Sequence, residues 1–329
     1  MRLHIQNPPG SEHAVTRAQW DAAVARHPEM AGLQASIAED AAGLDAALPD
    51  TEVLLTFTGV ARRHFAGGAL HGAAPKLRIV AFTSAGLDRL APFDWVPPGV
   101  SVLNNSGAHG DKAGEFGIMA ILMLRNHLPH FIDCQRQGRW HQWLAPSLSS
   151  STLGILGLGA LGSGVAKRAR QFGMRVLGIR GTARPHPDCD EVFGEAELDA
   201  VLPRCDFLMI TCPLTDRTRG MVSRARLALL PVGAGVVNIA RGAIWDQEAA
   251  CDLLEAGHLS GCVTDVAVPE PLPPDHRLWR TPGMVVTPHM SSDDPTIYND
   301  RTLDILFENL RAERDGKPLP NRVDPAKGY

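Results

Sequence analysis

The sequence has no closely spaced pair of cysteines, although it contains six cysteines in total. They are Cys134, Cys189, Cys205, Cys212, Cys251 and Cys262, and none forms a Cys-x-x-Cys pair. A chain of 329 residues with 44% hydrophobic residues can bury its cores without disulfides or metal ions. We therefore expect reduced thiols, most of them buried as small apolar side chains, and no metal site.

The sequence also lacks a long apolar run and an excess of basic residues. Its longest uncharged apolar stretch, residues 227–240, is interrupted by Pro231 and is too short to span a bilayer. The first five residues, Met-Arg-Leu-His-Ile, do not resemble a signal peptide. The net charge is −4, which argues against nucleic acid as the main partner. These absences predict a cytoplasmic protein that binds neither membranes nor nucleic acid.

Strand and helix signals alternate along the chain, which predicts two α/β domains in tandem. In the first hundred residues, apolar runs suited to parallel strands lie at 3–6, 53–56, 77–82 and 100–103. Residues 16–26 have helical spacing, with Thr16 as the expected N-cap, and 112–131 read as one long helix. In a second series, strands are predicted at 152–156, 175–179, 207–211, 235–239, 262–266 and 284–287, and helices at 165–172 and 304–314.

A glycine-rich turn follows the strand that ends at Leu156. Its sequence is Gly157-Leu158-Gly159-Ala160-Leu161-Gly162, and a helix follows it directly. The first glycine allows a tight turn, the second lets backbone approach a pyrophosphate, and the third lets the helix pack on the strand. In this position the turn predicts a dinucleotide site, and a glycine turn without a ligand is the alternative.

The end of the next strand distinguishes NAD from NADP. Enzymes that use NAD carry an acidic residue there, bonded to the ribose 2′-hydroxyl. This chain instead has Arg180, Thr182 and Arg184, with no carboxylate before Asp188. Two guanidinium groups and a hydroxyl suit a 2′-phosphate, so NADP(H) is the predicted cofactor and NAD remains possible. A solvated arginine pair is the alternative.

Three further segments carry reactive side chains in a fixed order. Arg241 lies in Asn-Ile-Ala-Arg-Gly, Glu270 lies between two prolines, and His289 follows Thr-Pro. An arginine and a histidine after apolar strands belong at the carboxyl edge of a parallel sheet, where ligands bind. A carboxylate beside a histidine favours the imidazolium form, which suits a proton donor.

In this order and wording, the segments resemble the D-isomer-specific 2-hydroxyacid dehydrogenase family, in particular glyoxylate and hydroxypyruvate reductase-like members. The resemblance covers nearly the whole chain. It implies two doubly wound parallel-sheet α/β domains, with a Rossmann cofactor domain (105–295) inserted in a flavodoxin-like substrate domain (1–104 and 296–329). It also implies a homodimer formed through the apolar helix near 114–128 and the arm that bears Trp140 and Trp143.

The resemblance assigns roles to individual residues. Arg241 would bind the carboxylate and carbonyl of a small 2-keto acid, His289 would give the proton, and Glu270 would hold His289 charged and oriented. Ser84, Ala85 and Gly86 would grip the substrate carboxylate through backbone N–H groups, with Phe57 and Thr58 shaping the pocket. Asp265 would bond the nicotinamide carboxamide. The remaining cofactor contacts would come from the glycine turn and from Cys212, Pro213, Thr218, Ile239 and Ala240.

Three other kinds of protein with this fold, two of them enzymes and one a corepressor, are weighed as alternatives. Formate dehydrogenases of this superfamily replace the glutamate with glutamine, so Glu270 argues against that activity. Phosphite dehydrogenases carry a lysine where this chain has Ala85. A dinucleotide-sensing corepressor of the same fold shares the three reactive residues and is the principal alternative to a D-2-hydroxyacid dehydrogenase.

Overall fold

The computed structural model describes residues 1–324, which form twelve strands and eleven α-helices in two compact units. The strands are β1 (Arg2–Gln6), β2 (Gln34–Ala38), β3 (Val53–Thr56), β4 (Ile79–Phe82), β5 (Ser101–Leu103), β6 (Thr152–Leu156), β7 (Arg175–Arg180), β8 (Glu191–Gly194), β9 (Phe207–Ile210), β10 (Ala234–Asn238), β11 (Leu259–Thr264) and β12 (Met284–Val286). The helices are α1 (Arg17–Arg26), α2 (Ala41–Ala47), α3 (Thr58–His64), α4 (Leu70–Ala73), α5 (Gly110–Arg125), α6 (Leu128–Arg136), α7 (Ala160–Gln171), α8 (Leu198–Val201), α9 (Arg224–Leu227), α10 (Gln247–Glu255) and α11 (Tyr298–Arg314). None of these helices is both long and apolar enough to cross a membrane.

The first unit is a flavodoxin-like α/β domain built from Met1–Ala108 and the segment from Asp294 onward. Its parallel sheet has the strand order β2-β1-β3-β4-β5, the flavodoxin-like order. Helix α11 belongs to this unit because Leu303 and Phe307 share a core with Leu3 and Ile5. Thr16 caps α1 as predicted, in a reciprocal capping box with Gln19.

The second unit, His109–Asp293, is a Rossmann domain. Its seven-stranded sheet has the order β12-β11-β10-β9-β6-β7-β8, and all pairs are parallel. Numbered from its first strand, six of these strands follow the order 3-2-1-4-5-6, and the seventh extends the sheet beyond β11. The predicted fold class, two doubly wound parallel-sheet domains, is confirmed.

The edge strands β2 and β8 were not predicted from the sequence. Neither strand contains a fully buried residue, whereas every residue of β3, β4 and β9 is buried. Neither β2 nor β8 is a continuous apolar run, so the signal that finds the central strands is missing in these two.

The prediction of one continuous helix over 112–131 is wrong, because two helices replace it. Helix α5 ends at Arg125, and α6 begins at Leu128. Between them His127 has a left-handed backbone (φ 52°), which ends the first helix. Pro129 then lies in the first turn of α6, where its missing N–H costs no helical hydrogen bond.

The two units divide a few residues away from the expected boundaries of 104/105 and 295/296. Ala108 is the last residue of the first unit before the break, and the chain re-enters that unit at Asp294. Asn105 lies within the first unit because its side-chain amide donates to the Thr83 carbonyl (2.8 Å) and to the Thr302 hydroxyl (2.8 Å). Residues 325–329 of the expected substrate domain lie outside the described residues.

Candidate active site

The glycine-rich turn joins β6 to α7 with the close packing that the motif requires. Gly157 has a φ of 102°, and a Cβ there would lie 2.5 Å from the Cys212 backbone nitrogen. A Cβ on Gly162 would lie 1.9 Å from the Gly157 carbonyl oxygen. A Cβ on Gly159, by contrast, would meet no atom within 4 Å, so the turn is open above this glycine. This open backbone at the start of the twelve-residue helix α7, which includes Ala160 and Leu161, fits a dinucleotide pyrophosphate.

Two guanidinium groups without protein partners follow the second strand of this domain. Arg180 is half-buried at the end of β7, and Arg184 is exposed. Within residues 1–324, neither side chain makes an ion pair or a hydrogen bond. Burial lowers the pKa of Arg180, and the nearby charge of Arg184 lowers it further. Two cations that repel each other and have no carboxylate partner form a site that favours an anion.

The loop that carries Thr182 and Arg184 is attached to the glycine turn by a histidine that the sequence did not single out. His186 Nε2 lies 2.9 Å from the Ser163 hydroxyl, and Ser163 directly follows Gly162. His186 Nδ1 accepts the Asp188 N–H at 3.1 Å, which fixes this ring tautomer with Nε2–H as the donor to Ser163. The loop is therefore ordered next to the start of α7.

An acidic residue does stand near this loop, but it comes from β8 rather than from the end of β7. Glu195 Oε1 lies 3.5 Å from the position that a Cβ on Gly181 would take, and Oε2 accepts from Arg217 at 2.6 Å. Strand pairing explains this placement, because Arg180 is paired with Gly194, the residue before Glu195. Glu195 was not predicted from the sequence because β8, the strand that precedes it, was not predicted.

The turn after β9 is held by its own side chains. The Thr218 hydroxyl donates to the Pro213 carbonyl at 2.6 Å, and the same oxygen accepts the Thr215 N–H at 2.8 Å. Cys212 is buried, and burial raises the pKa of its thiol to about 12, so this thiol stays neutral. Pro213 is exposed beside them. A cofactor contact for each of these residues stays a prediction.

Arg241 is positioned by the residues that precede it. Asn238, the last residue of β10, is fully buried; its amide donates to the Arg241 carbonyl (3.1 Å) and its oxygen accepts the Ala240 N–H (3.0 Å). Ile239 and Ala240 are buried beneath the turn. The Arg241 guanidinium is half-exposed and donates to the Ala240 carbonyl at 2.8 Å. Gly242 is required because a Cβ there would lie 2.4 Å from the Ala267 carbonyl carbon.

His289 and Glu270 face each other at hydrogen-bond distance. His289 Nδ1 lies 3.2 Å from Glu270 Oε2. The other carboxylate oxygen of Glu270 accepts the Ala267 N–H at 3.1 Å, which holds the group in place. The His289 side chain is 44% exposed and that of Glu270 is 20% exposed, so the imidazole faces solvent on one side while the carboxylate supports the other.

Asp265 holds the backbone around His289 in an uncommon conformation. His289 has a φ of 52°, and non-glycine residues in this left-handed region cost about 1–2 kcal/mol. The Asp265 carboxylate accepts from the Thr287 hydroxyl (2.6 Å), the Met290 N–H (2.9 Å) and the Ser291 N–H (2.9 Å). Its carbonyl accepts the His289 N–H at 2.9 Å. Asp265 is only 1% exposed, so its carboxylate serves the loop, and its predicted contact with a nicotinamide stays a prediction.

The predicted substrate loop lies in the first unit, directly after β4. Ser84, Ala85 and Gly86 are half-exposed, and the Ser84 carbonyl accepts the Asn105 N–H at 3.0 Å. In the part of the chain that the structure describes, the N–H groups of these three residues have no protein acceptor. Three consecutive free amides can bind an anion. Phe57 and Thr58 follow the adjacent strand β3 and are also half-exposed.

Parallel pairing brings the three reactive residues of the second unit to one edge of its sheet. Strands β10, β11 and β12 are neighbours. Arg241 follows the first, Asp265 and Glu270 follow the second, and His289 follows the third. A permanent cation and a histidine–carboxylate pair at such an edge can bind an oxyanion and move a proton.

The chain is similar to known proteins over much of its length. The family model for the D-isomer specific 2-hydroxyacid dehydrogenase NAD-binding domain matches residues 118–291. A glyoxylate reductase from Korarchaeum cryptofilum is 31% identical to this chain, and the alignment covers 77% of this chain and 77% of the reductase. A mitochondrial formate dehydrogenase from Hordeum vulgare is 34% identical to this chain, and the alignment covers 59% of this chain and 53% of the formate dehydrogenase.

A solved structure agrees over the full length. It is a D-isomer specific 2-hydroxyacid dehydrogenase from Xanthobacter autotrophicus Py2 in complex with NADPH and MES. The two chains are 28% identical and superpose with a TM-score of 0.85, covering 99% of each. The chain described here therefore belongs to the D-isomer specific 2-hydroxyacid dehydrogenase family and is an NAD(P)-dependent dehydrogenase.

Proposed function

We propose that the protein reduces a small 2-keto acid to the D-2-hydroxy acid, with NADPH preferred to NADH. The observation that carries the proposal is the contact between His289 Nδ1 and Glu270 Oε2, 3.2 Å apart at the sheet edge where Arg241 also lies. Reduction of a keto acid needs a cation for the carboxylate, a proton donor for the carbonyl oxygen and a hydride donor. The first two are supplied by this chain.

The proton donor in this proposal is His289, acting through its Nε2 atom. Because Nδ1 faces Glu270 Oε2, the Nε2–H of the imidazolium is the group left for the substrate carbonyl oxygen. Proton transfer to that oxygen leaves a neutral imidazole, which solvent can recharge because the side chain is 44% exposed. Glu270 is the positioning residue, since its carboxylate contacts His289 Nδ1 and is itself held by the Ala267 N–H.

Arg241 is the proposed binding group for the substrate. Its guanidinium carries a permanent charge and a planar fork of donors, which matches a carboxylate and can polarise an adjacent carbonyl. The buried Asn238 donates to the Arg241 carbonyl and so fixes the backbone of Arg241. The position of this backbone therefore does not depend on flexible loop residues. In the first unit, the three free amides of Ser84, Ala85 and Gly86 are a second proposed carboxylate-binding element.

The residues around the glycine turn would hold the dinucleotide. The open position at Gly159 and the start of α7 suit its pyrophosphate. The nicotinamide of the bound cofactor supplies the hydride that reduces the carbonyl carbon. Arg180, Thr182 and Arg184 would hold a 2′-phosphate, because the two arginines have no partner among residues 1–324. The Xanthobacter relative that was solved with NADPH supports this preference.

We also propose a homodimer that buries the exposed apolar surface of the second unit. Helix α5 packs one side closely on α7, where a Cβ on Gly114 would lie 2.5 Å from the Gly164 carbonyl oxygen. On the other side of α5, Met119 is exposed. Leu128 and Phe172 are exposed as well. On the arm that follows α6, Trp140 is 98% exposed and Leu144 is 82% exposed. Large exposed apolar side chains in one region are typical of an interface.

A substrate panel tests the proposed activity. NADPH consumption would be followed with glyoxylate, hydroxypyruvate, pyruvate and phenylpyruvate, and NADPH formation would be followed with formate plus NADP. The configuration of each chiral hydroxy acid product would be determined by chiral chromatography. We expect turnover with at least one of the smaller keto acids and a D-configured product where the product is chiral. Turnover of formate alone, or tight NADPH binding with no turnover of any keto acid, would overturn the proposal; the second result would favour a dinucleotide-sensing role.

A further inference from the structure

Three potential metal ligands meet where the chain leaves helix α6. His130 and Cys134 are four residues apart on α6, so they share one face of the helix. The arm that follows the helix turns back and brings His141 to them. His130 Nε2 lies 2.7 Å from His141 Nδ1 and 3.3 Å from Cys134 Sγ. All three ligand atoms lie within 4.8 Å of one another.

Two of the three ligand separations lie within about 0.6 Å of those in a tetrahedral metal site. With metal–nitrogen bonds of about 2.0 Å and metal–sulfur bonds of about 2.3 Å, the ligand atoms of a zinc site lie roughly 3.3–3.7 Å apart. The Cys134–His130 separation of 3.3 Å already falls in that range. The two histidine nitrogens, at 2.7 Å, would need to separate by about half an ångström. His141 is the exposed member of the three, so its ring can move by this half ångström.

Neighbouring side chains hold the sulfur and the imidazoles in place. Arg139 Nη2 donates to Cys134 Sγ at 3.1 Å. Trp143 stacks on His127 at 3.8 Å and packs edge-on against His130 at 5.4 Å. Cys134 is only 3% exposed and His141 is exposed, so a bound ion would have a sheltered side and a side open to water.

We propose that His130, Cys134 and His141 form a binding site for a divalent zinc-type ion, with a water molecule as the fourth ligand. Two imidazoles and one thiolate are the ligand types that select zinc over magnesium or calcium. The ion would join α6 to the arm that bears Trp140 and Trp143. The site uses none of the residues assigned to the dehydrogenase reaction, and it can be tested without substrate or cofactor.

Cobalt titration tests this site directly. The protein would be purified under reducing conditions, stripped with a chelator, and titrated with Co²⁺ alone while thiolate-to-cobalt charge-transfer absorption is recorded in the near ultraviolet. We expect saturation at about one equivalent per chain, with tetrahedral d–d bands, and displacement of Co²⁺ by Zn²⁺. Absence of saturable charge-transfer absorption would overturn the proposal.

Two ligand variants and two controls connect the signal to these residues. His141→Ala changes an exposed side chain and should leave the fold intact, and Cys134→Ser removes the thiolate with little change of volume. Each should weaken binding by at least about 100-fold, the upper end of the cost of losing only an outer-shell partner. Cys189→Ser and His64→Ala, which alter a half-buried thiol and an exposed imidazole elsewhere, should bind like the parent protein. Unchanged binding in His141→Ala would show that other histidines hold the ion and would refute the site.

Discussion

Replacement of Arg180 with alanine should shift cofactor preference from NADPH toward NADH. Arg180 makes no bond to a protein group within the described residues, so its removal costs the fold no hydrogen bond. A charge-assisted hydrogen bond contributes about 1.5–3 kcal/mol, which corresponds to about 10- to 150-fold in kcat/KM for NADPH. The kcat/KM for NADH should stay nearly constant, since NADH has no 2′-phosphate.

The structure ranks the two arginines of this loop. Arg180 is half-buried, whereas Arg184 is exposed to solvent that screens its charge. Exposed ion pairs contribute about 0.2–1 kcal/mol, so Arg184→Ala should lower the NADPH/NADH ratio by at most about fivefold. Arg175→Ala is the matched control because Arg175 lies at the opposite end of the same strand, paired with Glu191 at 2.5 Å. Its NADPH/NADH ratio should equal that of the parent protein.

Steady-state kinetics with both cofactors at a fixed keto acid concentration would provide these ratios. If Arg180→Ala lowered kcat/KM for NADPH and NADH by the same factor, the arginine would act on the fold or on the shared part of the dinucleotide. A parent enzyme that used NADH as well as NADPH would also refute the assignment of this loop to a 2′-phosphate.

Three further predictions concern the His289 loop and the assembly. Asp265→Asn replaces a buried carboxylate that accepts three hydrogen bonds around the left-handed His289. We expect kcat to fall at least tenfold, because one lost bond to a charged acceptor is worth about 1.5–3 kcal/mol; an unchanged kcat would show that the loop keeps its conformation without this carboxylate. Glu270→Gln should retain reduced turnover, because a neutral amide oxygen is a weaker acceptor than a carboxylate for the His289 Nδ1–H group; a kcat equal to that of the parent enzyme would remove Glu270 from its role. Light scattering at micromolar concentration should give a dimer mass, and Trp140→Ser together with Leu144→Ser should shift it toward the monomer; a monomeric parent protein would contradict the proposed interface.

Local sequence patterns were sufficient for the central strands and for the glycine turn. The buried strands β3, β4 and β9 are continuous apolar runs, and the roles of Gly157 and Gly162 follow from the space that a Cβ would need. Edge strands and helix breaks are weaker signals. The break at His127 depends on one left-handed residue, and an apolar helical pattern continues through it.

The site features that were not predicted from the sequence depend on contacts between residues far apart in the chain. Glu195 reaches the cofactor loop only because β8 pairs with β7. The carboxylate of Asp265 is engaged by Thr287, Met290 and Ser291, more than twenty positions later, and no spacing rule indicates this. Cys134 and His141 similarly meet because the arm turns back on α6, so the absence of Cys-x-x-Cys pairs carried no information about this cluster.

The most direct measurement of the central claim is the kcat of His289→Ala for reduction of the best keto acid from the panel, with NADPH saturating. A positioned general acid contributes about 100- to 10,000-fold to rate, and His289 lies 3.2 Å from the carboxylate proposed to position it. We predict a loss of kcat in this range, with NADPH binding and circular dichroism unchanged. A near-normal kcat in His289→Ala would contradict the account, because the proton would then come from another group.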